Sequence, residues 1–156
     1  MTNFQKAFKI IVGVEGGYVD NKNDPGGETK YGISKRSYPD EDIKELTLER
    51  AKEIYKNDFW IKLNCDSMAW PLNLIVFDSA VQHGQTIAIK LLQRALKIKE
   101  DGIYGRNTLA AVEARDPYEV AKLLLTVRVF YYQKLATFQI YGRGWMNRLF
   151  EVALSA

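Results

Sequence analysis

In residues 15–32, "EGGYVDNKNDPGGETKYG", three side chains have the types and spacing of an acid–base site: Glu15, Asp24 and Thr29. Phe4, Phe8 and Ile11 recur at helical spacing, and Glu15 follows four residues after Ile11. That spacing puts Glu15 on the apolar stripe of a first helix, in its last turn. Partial burial and the negative end of the helix dipole both disfavour the carboxylate, so both raise its pKa. A carboxylic acid that stays protonated near neutral pH can protonate a departing sugar oxygen. The glycines after it let backbone and substrate approach closely. A hairpin folded back over the helix end would bring Asp24 near enough to hold or activate a water, with Thr29 orienting it. Asp20 and Glu28 are alternatives for the second carboxylate. The alternative reading of each is structural: Glu15 as a rim residue paired with a Lys or Arg, the others as solvated turn acids.

These residues need a helix before them and a turn-rich excursion after. Thr2 or Asn3 can cap the first helix, and Gly16 and Gly17 are expected to stop it. Residues 17–33 then read as a short irregular β-hairpin or a long ordered loop. Beyond it the pattern is helical. Leu48, Ala51, Ile54, Tyr55 and Phe59 make one face behind Thr47, and Pro71 opens an apolar helix that Gly84 ends. Ile87, Leu91, Leu92 and Leu96 define the next. Asn107 or Thr108 starts a short helix after the "DGIYG" turn. Pro117 begins the longest, expected to run to Gly142, with "GWMNRLFEVALS" closing the chain. The expected fold is mainly α, with about seven helices and one β-like excursion after the first.

Composition narrows the function. The 156 residues suit one domain, and 47% hydrophobic with 26% charged residues is a globular balance. A net charge of +3 is too small to argue for nucleic acid, and no nucleic-acid motif supports it. It suits encounter with a polyanionic surface such as a bacterial wall. One cysteine, Cys65, and one histidine, His83, exclude an intramolecular disulfide and make a metal site improbable. The N-terminus lacks a basic region leading into an apolar core, and no apolar run approaches membrane length. These features predict a chain made in the cytoplasm, without membrane insertion and without a cofactor.

"EGGYVDNKNDPGGETKYGI" resembles the signature of the glycoside hydrolase 108 family of phage and bacterial N-acetylmuramidases, in which the glutamate of E-G-G-Y is catalytic. "FDSAVQHGQTIAIKLLQRAL" is similar to the family's central helix pair, "DGIYGRNTLAAV" to a D-G-x-x-G-x-x-T segment of peptidoglycan-binding domains, and "GRGWMNRL" to a closing G-W-x-x-R motif. The order Glu, Asp, Thr also resembles the triad of phage T4-type lysozymes, although this chain has one residue fewer between Asp24 and Thr29.

The resemblance implies a lysozyme-like domain over residues 1–156, with a catalytic part (1–84) and a helical, peptidoglycan-binding-like part (85–156) packed on it. It implies cleavage of the β-1,4 bond after N-acetylmuramic acid, with Glu15 as general acid. Asp24 then positions a water for inversion or stabilises an oxocarbenium-like state, and Thr29 assists. Tyr18, Glu28, Tyr31 and His83 are the candidate substrate-binding residues, Tyr31 first among them as a cleft wall. From the residues alone, His83 reads first as a satisfied core or rim histidine. Trp60, Trp70 and Trp145 could stack on sugars or fill the core. The "DGIYGRNT" turn reads as structure before ligand contact. A phage endolysin, monomeric and released by a holin, fits these features. So do a prophage copy and a wall-cutting secretion factor. The rivals are a non-catalytic peptidoglycan-binding protein and a hydrolase of another amino-sugar polymer.

Overall fold

The computed structural model describes residues 1–13 and 17–156. Val14, Glu15 and Gly16 lie outside the described residues, and with them the leading acid candidate. Helix α1 spans Asn3–Val12. Thr2 caps it through a capping box, its hydroxyl accepting from the Gln5 N–H while the Gln5 side chain accepts from the Thr2 N–H. Such a cap is worth about 1 kcal/mol. The expected run to Gly16 is corrected: the helix closes at Gly13, whose φ of 70° suits glycine alone, with its N–H on the Lys9 carbonyl. The expected place of Glu15 in the last helical turn lies outside the described residues.

The excursion is a three-stranded antiparallel sheet, β1 (Val19–Asp20), β2 (Glu28–Lys30) and β3 (Ile33–Ser34), in that order. Val19 pairs with Thr29, and Thr29 with Ser34. Tyr31 and Gly32 form the two-residue turn between β2 and β3, with φ of 52° and 76°. Two positive φ values define a type I′ turn, which matches strand twist. A tyrosine there is costly and must be held in place. The Tyr55 hydroxyl does so, donating to the Tyr31 carbonyl at 3.0 Å.

Helix α2 (Leu48–Tyr55) continues into a π-helical turn, Lys56–Ile61. This wider turn corrects the expected helical face. Leu48 is 42% exposed, and Trp60, five residues after Tyr55, is fully buried in place of the half-buried Phe59. Trp60 is thereby excluded from sugar stacking. It packs edge-on against Phe4 and Phe77 at 5.5 Å and donates its indole N–H to Asp66.

Helix α3 (Leu72–His83) is the apolar central element and α4 (Gln85–Leu96) follows it directly. Gly84, with φ of 84°, ends one and begins the other. Helices α5 (Arg106–Glu113), α6 (Pro117–Gln133) and α7 (Phe138–Leu154) complete seven α-helices among the described residues. The fold is mainly α with a small sheet after the first helix, as expected.

Two boundaries move. Gly105, not Asn107 or Thr108, caps α5; Thr108 is buried and bonded to Gln93. The long final pattern breaks at Lys134–Thr137, not at Gly142. Gly142 lies inside α7, where a Cβ would sit 2.6 Å from the Phe138 ring. The Phe138 ring, one turn earlier on the same helix, and not chain reversal, requires glycine there.

Candidate active site

The polar residues of the 17–33 segment fall into two groups. Asp24 is exposed in the turn between β1 and β2. Its Oδ1 accepts from the Gly26 N–H at 2.8 Å, an Asx turn that shapes the loop. Its carbonyl accepts from the Gly27 N–H at 3.0 Å, and the Gly27 carbonyl accepts from the Thr29 hydroxyl at 3.4 Å. Gly27 thus links Asp24 and Thr29. Strand alternation puts Glu28 on the opposite face from Thr29. There the Glu28 carboxylate accepts from the Tyr18 hydroxyl at 2.6 Å, which pushes the Tyr18 pKa up to about 12.

Between the sheet and the helical body lies a cleft of about 360 Å³. Gly32, Ser34 and Tyr38 line it on the sheet side, Tyr55, Asp58, Phe59 and Lys62 on the helical side. Val81 and Gln85, at the α3–α4 junction, close its end. A Cβ on Gly32 would meet the Tyr55 hydroxyl at 2.5 Å, so this wall admits only glycine. The Tyr31 turn shapes the cleft through its carbonyl and Gly32, and the Lys30 ammonium lies 5.6 Å from the Tyr31 ring.

The π-helical turn brings in a group that sequence reading missed. The Asp58 carboxylate accepts from the Tyr38 hydroxyl at 3.0 Å and pairs with Lys62 at 3.2 Å, while its backbone carbonyl accepts from the Gln85 side chain. Burial, and then the Asp58 hydrogen bond, keep the Tyr38 hydroxyl protonated well above its usual range. The only signal for this in the sequence was the five-residue step between Tyr55 and Trp60.

His83 faces elsewhere. Its ring lies edge-on to Tyr131 and Tyr132 of α6, at 5.0 and 4.9 Å. Its Nε2 accepts from Arg128 Nε–H at 3.4 Å. Burial and the Arg128 charge push its pKa down to about 4, so the imidazole is neutral. Of the other tryptophans, Trp145 stacks on Tyr132 at 5.0 Å and Trp70 lies under the Lys6 ammonium at 3.8 Å.

The "DGIYGRNT" turn is organised around the buried Gln93. The Gln93 amide donates to Asp101, Thr108 and the Ile103 carbonyl, and accepts from the Gly102 N–H. Gly102 has φ of 75°, and a Cβ there would meet Thr86 at 2.9 Å. Each named group of the motif thus has an internal partner. Cys65 is buried, and burial pushes its thiol pKa well above the usual range. It is no nucleophile.

Comparison with known proteins agrees with this geometry. Residues 8–84 match the family model for glycosyl hydrolase 108, and residues 87–150 match a predicted peptidoglycan domain. SagA of Brucella abortus, known by its structure, is 31% identical, with 97% of this chain and 92% of that one covered and a TM-score of 0.86. No protein of curated function matches. A helical body, a small sheet and an open cleft between them, in a chain with these two matches, define a glycoside hydrolase acting on peptidoglycan. Within that class, the chain belongs to the glycosyl hydrolase 108 family.

Proposed function

We propose that the protein is an N-acetylmuramidase that cuts the β-1,4 bond between N-acetylmuramic acid and N-acetylglucosamine, with Glu15 as general acid. The observation that carries this reading is the match of residues 8–84 to a glycosyl hydrolase, in a chain with an open cleft between sheet and helical body whose lining includes neither Asp24 nor Thr29. In sequence, Glu15 lies two residues from Gly13, which closes α1, and two from Gly17, where the described chain resumes toward the sheet. Asp24 and Thr29, linked through Gly27, are the partners on that sheet: Asp24 to hold a water or face the developing positive charge, Thr29 to orient it. Asp24 is exposed and keeps acceptor capacity beyond its bond to Gly26, as such a role requires.

The whole chain acts as one unit, with residues 85–156 packed on the catalytic part. Asp78 of α3 pairs with Arg128 of α6 and Arg148 of α7, which supports that reading. Service as an endolysin, reaching the wall once a holin opens the membrane, is the finer role proposed; the family resemblance supports it.

Digestion of purified sacculi, followed by mass spectrometry, tests the assignment. Wild type should release products with muramic acid reducing ends, and Glu15→Gln should lower the rate by at least about a hundredfold. Cleavage by both proteins would move the acid to another carboxylate. Binding without cleavage by wild type would leave a wall-binding protein.

A further inference from the structure

Asp58 has a role still to fill. It stands on the π-helical turn, a widened geometry that is rare and recurs at functional sites. Its side chain, 35% exposed, lines the cleft. A carboxylate offers about four acceptor positions. Tyr38 occupies one on Oδ2 and Lys62 one on Oδ1, so acceptor capacity remains. Lys62 has three donors and lies at the same cleft, 58% exposed. Acceptor and donor thus stand 3.2 Å apart beside the ring of Phe59.

One common sugar substituent has the complementary pattern. An acetamido group presents an N–H and a C=O on one planar unit, and the pyranose that bears it has an apolar face suited to an aromatic wall. We propose that the Asp58–Lys62 pair reads the N-acetyl group of an amino sugar in this cleft, Asp58 accepting from its N–H and Lys62 donating to its carbonyl. Asp58 is then a positioning and specificity residue. Tyr38 and Gln85 hold it in place from the sheet side and from α4. The inference rests on the saccharide reading above, because it presumes an amino-sugar polymer in the cleft.

Two measurements test it. In the first, tri-N-acetylchitotriose is titrated into wild-type protein, Asp58→Asn and Lys62→Met, followed by backbone amide NMR. Wild type should show shifts at Phe59, Lys62 and Gln85, and each variant should bind about tenfold more weakly, the loss expected of one hydrogen bond to a charged group. Asn keeps the side-chain shape, and Lys62 is exposed, so at least one variant retains the fold. Shifts confined to another surface, or unchanged affinity in both variants, would overturn the proposal.

In the second, soluble glycan strands are compared before and after enzymatic de-N-acetylation. For wild type, removal of the acetyl groups should raise KM about tenfold. For the variants KM should already be high and change little, with the loss carried by KM rather than kcat. A purely structural role for Asp58 would leave the preference for acetylated strands intact. The titration needs no cleavage, so the two readings fail separately. Mapped binding without wall cleavage would sink the muramidase assignment alone, and cleavage without binding at Asp58 would sink this one alone.

Discussion

The Arg128 guanidinium meets the Asp78 carboxylate at 2.8 Å, and neither side chain is exposed to water. The second Asp78 oxygen accepts from Arg148 at 3.0 Å, and the Tyr132 hydroxyl also faces Arg128. One carboxylate from the central helix therefore neutralises charge from both C-terminal helices. A buried pair of this kind gains little over apolar packing, but breaking one side of it strands a charge.

Asp78→Ala should accordingly cost about 3–5 kcal/mol of unfolding free energy, because Arg128 remains charged and buried. Replacing the pair together, as Asp78→Leu with Arg128→Met, should cost less than the single change. Urea denaturation of Asp78→Leu, Arg128→Met and the double variant measures this. A double variant as unstable as the sum of the single ones would show that the pair is not coupled.

His83 sets a pH dependence. The folded chain holds its pKa at about 4 against an ordinary 6.5. Between those values the unfolded chain binds more protons, so stability rises with pH through that window. The contribution is complete above about pH 6.5 and is lost as pH falls toward about 4. His83→Gln should lose less stability than wild type between pH 7 and 5 in chemical denaturation. Equal losses would assign the acid sensitivity to other groups.

Two glycines two residues apart in α7 should respond oppositely to alanine. Gly142→Ala forces a methyl within 2.6 Å of the Phe138 ring and should cost about 1–3 kcal/mol. Gly144 is exposed with nothing within 4 Å of a Cβ, so Gly144→Ala should add up to about 1 kcal/mol through helix propensity. Thermal unfolding of both variants compares them directly.

The sequence was most legible where a single local rule sufficed. Thr2, Thr47, Pro71, Gly84 and Pro117 all mark helix ends close to where they fall, because caps and breakers act within one turn. It misled at glycines whose local role was not the one their position suggested. Gly13 closed α1 ahead of the more conspicuous glycine pair, and Gly142 imitated a helix end while making room for Phe138. The π-helical turn was hidden because periodicity assumes a constant turn, so Asp58 entered no candidate site. Asp78, the one acid in a mostly apolar helix, was a readable sign of a buried ion pair. Its partners, 50 and 70 residues away, were not readable. Among the candidate site residues, the Asp24 carbonyl and the Thr29 hydroxyl each bond to the Gly27 backbone, whereas His83 turned to α6.

Gly84 has a consequence for how the enzyme works on a solid. One residue separates α3 from α4, and the two family matches meet across it without a tether. A catalytic module on a long leash can sweep many bonds from one anchorage. Here any grip that residues 87–150 take on the wall also fixes where the cleft lies. With such a grip, reaching the next bond would require letting go, so cleavage of an insoluble glycan would proceed as separate steps.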